Sequence, residues 1–79
     1  MEFDHDLDAI GLLCPLPVLK ARKRLQTLET GQILRVQADD PAALLDVPHF
    51  CKESGNELVL VTKSDTFRMF FIRKTTRNG

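Results

Sequence analysis

The segment Gly11–Val18, GLLCPLPV, places one cysteine where an extended segment meets a helix. Pro15 is predicted to take the first helical position, because the N–H that proline lacks has no intrahelical partner there. Pro17 still falls within the first turn, so it breaks no backbone hydrogen bond of the helix. Cys14 therefore takes the N-cap position, where the positive end of the helix dipole favours thiolate and predicts a lowered thiol pKa.

The alternative for Cys14 is the situation of most cysteines, a small apolar side chain in the core. N-cap positions are commonly accessible, and two prolines within one helical turn are unusual. We therefore interpret Cys14 as an exposed, reactive thiol and as the candidate catalytic residue.

Length and composition indicate one small globular domain over residues 1–79. Hydrophobic residues make up 43% and charged residues 28% of the chain, which is too apolar for a disordered protein. The formal net charge is zero, so global charge predicts neither nucleic-acid nor membrane binding. No apolar run could span a bilayer, and the acidic start Met1–Asp4 does not resemble a signal peptide. We expect a cytoplasmic protein.

The two cysteines do not suggest a disulfide framework or a metal motif. Cys14 and Cys51 are far apart in sequence and form no CxxC pair, and no secretory signal precedes them. A zinc site would need about four closely spaced ligands. His5, His49 and the two cysteines would supply them only through an accident of folding. We predict no metal site, and no cofactor, since the chain has no cofactor-binding motif.

Hydrophobic periodicity predicts six elements in the order βαβαββ. They are a strand at residues 2–9, a helix at 15–28, a strand at 33–38, a helix at 41–54, and strands at 58–63 and 66–74. Pro48 is expected to kink or break the second helix, and Ser64-Asp65 to form the hairpin turn. The predicted fold is a two-layer α/β sandwich, a four-stranded mixed sheet with two helices on one face. This topology puts Cys14 on the rim of the sheet where open α/β proteins commonly bind ligands.

The first predicted helix has an apolar face and a basic face. Its apolar positions fall on one stripe: Val18, Ala21, Leu25 and Leu28. Lys20, Lys23 and Arg24 fall on the opposite side, and Leu16 lies on that side close to Cys14. These four residues are candidate partner-binding residues. The alternative is an ordinary solvated helix face with one scattered exposed leucine.

Other conspicuous residues have structural rather than catalytic interpretations. Asp39 and Asp40 precede Pro41, which favours helix capping over an acid–base pair. Cys51 belongs to an apolar arc of the second helix and is predicted to lie in the core. The sheet face without helices is a candidate docking or self-association surface. Depending on register, it would carry Ile33, Val59, Val61, Phe70 or Ile72.

Four segments extend the Cys-Pro-x-Pro pattern along the chain. They are Leu7-Asp8-Ala9-x-Gly11-Leu12-x-Cys14-Pro15-x-Pro17-Val18, Ala38-Asp39-Asp40-Pro41, Asp46-Val47-Pro48-x-Phe50-Cys51 and Ile72-Arg73-Lys74. In these segments the chain resembles the TusA/SirA-like sulfur carrier family, and the second and third segments are most similar to TusA proteins. One position departs from the pattern. Leu16 stands between the two prolines, where members of the tRNA pathway typically have glutamate.

The resemblance implies the βαβαββ fold and a sulfurtransferase that carries sulfane sulfur as a persulfide on Cys14. It implies a pyridoxal-phosphate cysteine desulfurase, or a rhodanese, as the sulfur donor. It also implies a TusBCD-like relay protein as the acceptor, leading to 2-thiouridine in tRNA. Other members of the family serve molybdenum-cofactor synthesis or sulfur oxidation, so these pathways stay open as alternatives.

Two other classes of function stay open from the residues alone. A thiol–disulfide oxidoreductase would use a Cys14–Cys51 pair, and its oxidised form would hold an intramolecular disulfide. A nucleic-acid-binding or regulatory module would use Lys20, Lys23 and Arg24, although zero net charge and few aromatic residues argue against it. Salt-dependent RNA binding would identify this second class.

Overall fold

A computed structural model describes residues 1–75 and has the predicted βαβαββ order. The elements are β1 (His5–Asp8), α1 (Leu16–Leu25), β2 (Ile33–Ala38), α2 (Ala43–Ser54), β3 (Glu57–Ser64) and β4 (Phe67–Arg73). The strands form one mixed sheet in the order β1-β2-β4-β3. β1 and β2 are parallel, and the other two pairs are antiparallel. The predicted two-layer architecture is therefore confirmed.

The hydrophobic core lies between the sheet and the two helices. Val36, in β2, pairs with Leu7 of β1 on one side and with Phe70 of β4 on the other. Leu34 and Ile72 pair on the same face of the sheet, and both are fully buried. The helices supply the other half of the core: Ala21, Leu25, Ala43, Val47, Phe50 and Cys51. Alternation along the strands thus determines which sheet face the helices cover.

α1 is shorter than predicted at both ends. The sequence predicts a helix at residues 15–28, and the structure has one at Leu16–Leu25. A backbone bond of 3.1 Å runs from the N–H of Leu19 to the carbonyl of Pro15, which is the N-cap residue. Cys14 therefore lies one residue before the N-cap, and the prediction that it is the N-cap itself is wrong.

α2 continues through its internal proline. Pro48 predicts a kink or a break near Val47, and the break is absent, because one uninterrupted helix spans Ala43–Ser54. Val47 and Cys51, before and after the proline, are both buried, and this packing holds the helix through the missing hydrogen bond. The helix ends as predicted at Gly55, whose φ of 80° is the left-handed conformation of a helix C-cap.

The hairpin between β3 and β4 turns at Asp65-Thr66, one residue later than predicted. Asp65 has a φ of 44°, the positive value that two-residue hairpin turns favour. β3 also contains a register shift between Leu58 and Leu60. Because of this shift, the side chains that follow in β3 lie on the opposite sheet faces from those that strict alternation predicts. As a result, Leu60 is placed opposite Phe71.

Some of the residues that were predicted for the sheet face away from the helices lie on the opposite face instead. Phe70 and Ile72 face the helices and are fully buried, because their partners in β2 are core residues. Phe71, opposite Arg35, lies on the other face instead. Phe3 packs over it with ring centroids 6.3 Å apart, and the guanidinium carbon of Arg35 lies 4.2 Å from the centre of the Phe3 ring. The N-terminal segment therefore covers part of this face.

Candidate functional site

Cys14 lies in the connection between β1 and α1, with its side chain exposed to solvent. Its backbone N–H donates to Oδ2 of Asp40 at 2.7 Å. Its thiol donates to Oδ2 of Asp46, in the first turn of α2, also at 2.7 Å. The two contacts attach the cysteine to α2 and to the segment that precedes it, so the thiol has a defined position although it is exposed.

The Asp39-Asp40 pair organises the loops on both sides of the site. Oδ1 of Asp39 accepts the N–H of Gly11 at 2.9 Å, across the rim of the sheet. Oδ1 of Asp40 accepts the N–H of Ala42 at 3.1 Å, in the turn that leads into α2, while its other oxygen holds Cys14. Asp40 does not cap α2, because the N-cap residue of the helix is Ala42 and no side chain makes a capping hydrogen bond there, so the capping prediction is wrong. Asp39 binds the Cys14 loop instead of a helix.

The electrostatics of the thiol are the reverse of the prediction. The hydrogen bond to the Asp46 carboxylate, desolvation, and the negative charges of Asp46 and Asp40 together raise the pKa of Cys14 above its ordinary value. A helix N-terminus supplies about half a positive charge, whereas Asp46 places a full negative charge in contact with Sγ. The expected lowering of the Cys14 pKa is therefore wrong in the free protein.

A groove between α1 and α2 opens beside the thiol. Its volume is about 300 Å³, and it is lined by Cys14, Pro15, Val18, Asp46, His49, Phe50 and Glu53. Nε2 of His49 lies 3.4 Å from Oε1 of Glu53, one turn further along α2. The groove therefore combines apolar side chains with the polar side chains of Asp46, His49 and Glu53.

The structure adds Asp40 and Asp46 to the predicted site. Both fall in segments of the family pattern, Asp-Asp-Pro and Asp-Val-Pro, but their separation from Cys14 in sequence does not indicate a contact. Only the packing of α2 against α1 brings them together. The pattern could therefore nominate these carboxylates, but only the fold assigns them to the thiol.

The predicted partner-binding residues have different environments along α1. Leu16, at its start, is exposed, as are Lys20 and Lys23. Arg24 is half-buried and donates from Nη1 to the carbonyl of Asp6 at 3.1 Å, which joins α1 to β1. Lys20 and Lys23 thus form the freely accessible part of the basic face, and Arg24 also has a structural contact.

Cys51 is separated from the site by burial. It is 2% exposed, within the core as predicted, and burial raises the pKa of its thiol to about 11. Neither cysteine takes part in a disulfide. Cys51 is therefore a neutral core side chain at physiological pH, unlike the exposed Cys14.

Metal sites and membrane-spanning helices are absent from the part of the chain that the structure describes. Within residues 1–75, no three His, Cys, Asp or Glu side chains form a group that could hold a metal ion. In the same part of the chain, no helix has the length and apolarity needed to cross a membrane.

Comparison with known proteins identifies the family. The model of the family described as sulfurtransferase TusA matches residues 5–74. The chain is 43% identical over 74 residues to the sulfur carrier protein TusA of Allochromatium vinosum, covering 94% of this chain and 97% of that protein. Its fold is similar to that of a SirA-like protein from Desulfitobacterium hafniense, with a TM-score of 0.79 at 23% identity over 92% of this chain and 100% of the other. The chain therefore belongs to the TusA family of sulfurtransferases and sulfur carriers.

Proposed function

We propose that this chain carries sulfane sulfur as a persulfide on Cys14, taking it from one protein thiol and passing it to another. The observation that carries the proposal is the contrast between an exposed Cys14 and a buried Cys51. A carrier needs one accessible thiol and no second thiol within reach, because a neighbouring thiol would close a disulfide and release the sulfur as sulfide. The 43% identity to a sulfur carrier protein supports the same role.

The transfer uses ordinary thiol exchange. The Cys14 thiolate attacks the terminal sulfur of a donor persulfide, so that a new bond to Sγ forms and the S–S bond of the donor breaks. The electron pair of the broken bond leaves with the donor cysteine, which takes up the proton that Cys14 lost. Delivery repeats the step: an acceptor thiolate attacks the terminal sulfur, and Cys14 leaves as thiolate and is reprotonated. Neither step needs an oxidant or a reductant.

The partners follow from the family pattern. We assign the donor role to a cysteine desulfurase, or to a rhodanese, and the acceptor role to a TusBCD-like relay protein that leads to 2-thiouridine in tRNA. These reactions would take place in the cytoplasm. Leu16, which replaces the usual glutamate of that pathway, favours keeping sulfur oxidation and molybdenum-cofactor synthesis as alternative destinations.

A reconstituted relay tests the destination. A cysteine desulfurase, free cysteine, this chain and TusBCD-like relay proteins are combined, and sulfur on the relay cysteine is followed by intact-mass analysis. We expect the wild type and Cys51→Ser to load the relay at similar rates. If a carrier loaded with sulfur transfers none to the relay but does load an acceptor from sulfur oxidation or molybdenum-cofactor synthesis, the tRNA assignment is wrong.

A further inference from the structure

The carboxylate of Asp46 lies against the atom to which the carried sulfur would be bonded. Its Oδ2 accepts the thiol proton of Cys14 at 2.7 Å. A gap of 2.7 Å between Sγ and Oδ2 holds a hydrogen atom but is too narrow for a second sulfur, because the added atom would overlap the oxygen. The terminal sulfur of a Cys14 persulfide must therefore lie on a side of Sγ that faces away from Asp46.

Two attachments that do not involve the thiol proton keep this carboxylate beside Sγ. Asp46 belongs to the first turn of α2, so a helix rather than a loop sets its position. The backbone N–H of Cys14 donates to Oδ2 of Asp40 at 2.7 Å, in the segment before that helix. Loading with sulfur removes neither attachment. The negative charge of Asp46 therefore stays close to Sγ in the loaded carrier.

A persulfide offers two sulfur atoms to an acceptor thiolate. Attack on the terminal sulfur forms a bond from the acceptor to that sulfur and breaks its bond to Sγ, which keeps the electron pair and takes up a proton. Attack on Sγ instead forms a mixed disulfide between the acceptor and Cys14, and the terminal sulfur leaves with the electron pair as hydrosulfide. Neither reaction needs an oxidant or a reductant, but the second releases the sulfur and blocks the carrier.

Leaving-group strength alone favours the unproductive attack on Sγ. A more acidic thiol leaves faster, and hydrogen sulfide is more acidic than an alkyl thiol. The hydrogen bond to Asp46 raises the pKa of the Cys14 thiol, which makes Sγ a still poorer leaving group. Burial does not protect Sγ, because Cys14 is exposed. Another property of the site must therefore direct the acceptor to the terminal sulfur.

We propose that Asp46 determines which sulfur of the Cys14 persulfide is attacked, by keeping thiolates away from Sγ. The inference rests on the proposed sulfur-carrier function and adds a specificity-determining residue to its delivery step. Displacement at sulfur proceeds in line with the bond that breaks, so attack on Sγ arrives opposite the terminal sulfur. Because the terminal sulfur faces away from Asp46, this approach comes from the side of the carboxylate, whose charge repels a thiolate. The terminal sulfur is one bond further from that charge.

The test measures attack on Sγ separately from delivery. The wild type, Asp46→Asn and the control Glu53→Gln are loaded with inorganic polysulfide, and circular dichroism verifies that each is folded. Glu53→Gln removes a carboxylate of the same groove that pairs with His49 instead of Sγ. Each loaded protein reacts with a limiting amount of 2-mercaptoethanesulfonate, an anionic thiol, or of cysteamine, a cationic one, at equal thiolate concentrations. In early intact-mass spectra, attack on Sγ adds the mass of the probe thiol, and delivery restores the unloaded mass.

We expect the sulfonate thiol to form the mixed disulfide roughly fivefold faster on Asp46→Asn than on the wild type, since one nearby charge is removed. The rise should be smaller for cysteamine, whose ammonium group offsets the thiolate charge. Glu53→Gln should match the wild type with both thiols. The readout is the rate of mixed-disulfide formation and not the rate of delivery, because Asp46→Asn also makes Sγ a better leaving group. On the wild type, added salt should speed attack of the sulfonate thiol on Sγ.

Three results would overturn the inference. The first is an equal rate of mixed-disulfide formation on folded Asp46→Asn and on the wild type. The second is a wild-type Sγ that reacts with the sulfonate thiol as fast as with cysteamine, a comparison that needs no variant. The third is an equal rise with both thiols, which would assign the effect to packing rather than charge. By contrast, a wild-type Cys14 that gains sulfur neither from polysulfide nor from a cysteine desulfurase would reject the proposed function itself.

Discussion

At the scale of single residues, the contact between Cys14 and Asp46 governs the reactivity of the site. A carboxylate that accepts the thiol proton stabilises the neutral form, and its charge opposes the thiolate. The pKa of Cys14 is raised for this reason, so the free carrier is mostly a thiol at neutral pH. Thiols react as thiolates. We therefore expect the thiol of the resting protein to react more slowly with alkylating agents than an unperturbed cysteine does.

The substitution Asp46→Asn should lower the pKa of Cys14, because it removes both the negative charge and the strongest acceptor of the thiol proton. The alkylation rate of Cys14 at neutral pH should rise, and its pH profile should shift towards lower pH. Iodoacetamide labelling across a pH series, followed by mass spectrometry, measures both changes.

The matched control is Glu53→Gln, which removes a carboxylate from the same groove without touching Sγ. Its alkylation profile should stay close to that of the wild type. If Asp46→Asn leaves the profile unchanged, or moves it towards higher pH, the hydrogen bond does not hold the thiol proton.

At the scale of elements, the regular pattern of α1 and β2 made them predictable. Alternation gives β2 the buried residues Leu34, Val36 and Ala38, and helical spacing gives α1 its buried face. Local rules failed where packing dominates. Pro48 predicts a kink or a break, yet α2 is not broken, and its buried neighbours hold the helix together. The register shift in β3 has no signature that the periodicity detects.

The site could be predicted only in part for a related reason. The Cys-Pro-x-Pro pattern identifies Cys14 and its position beside a helix start, because both are local features. The contact with Asp46 depends on how α2 packs against α1, which residue spacing does not specify. The helix-dipole rule therefore predicts the wrong direction for the Cys14 pKa. It considers the dipole of α1 but not the Asp46 carboxylate that α2 places beside the thiol.

The basic face of α1 should assist encounter with the donor. Replacing Lys20, Lys23 and Arg24 with glutamate should slow sulfur transfer from a cysteine desulfurase roughly tenfold at low salt. Added salt should reduce the difference, because the charges are exposed. Stopped-time mass spectrometry at two ionic strengths measures the rates.

Two further variants of this chain serve as controls for the charge-reversal experiment. Lys20→Glu/Lys23→Glu omits Arg24, whose bond to Asp6 gives it a structural role. Lys63→Glu changes an exposed lysine in β3 and should behave as wild type. Equal transfer rates for the triple variant and the wild type at low salt would mean that the basic face is only solvated surface.

At the scale of the whole molecule, the fold divides its two thiols between surface and core. Burial raises the pKa of Cys51 to about 11, compared with roughly 8.5 for a cysteine in an unfolded chain. Below the unfolded value both states hold the proton, and the buried thiol contributes fully to stability. As the pH rises towards the folded value, the unfolded state loses its proton first, so the free energy of unfolding falls.

The variant Cys51→Ala lacks this titration and therefore tests the burial of Cys51. Near neutral pH the wild type should be the more stable protein, because the variant loses packed side-chain atoms. The stability advantage of the wild type over Cys51→Ala should shrink between about pH 8 and about pH 10. Urea unfolding at the two pH values measures the difference. A constant difference would show that Cys51 is not held in its neutral form by the core.

On the proposed function, one cysteine of this molecule, Cys14, carries the sulfur. The most direct measurement of this role is the intact mass of the wild type, Cys14→Ser and Cys51→Ser after incubation with a cysteine desulfurase and cysteine. The wild type and Cys51→Ser should each gain one removable sulfur, and Cys14→Ser should gain none. Loading of Cys14→Ser to the wild-type extent would contradict the assignment of the persulfide to Cys14.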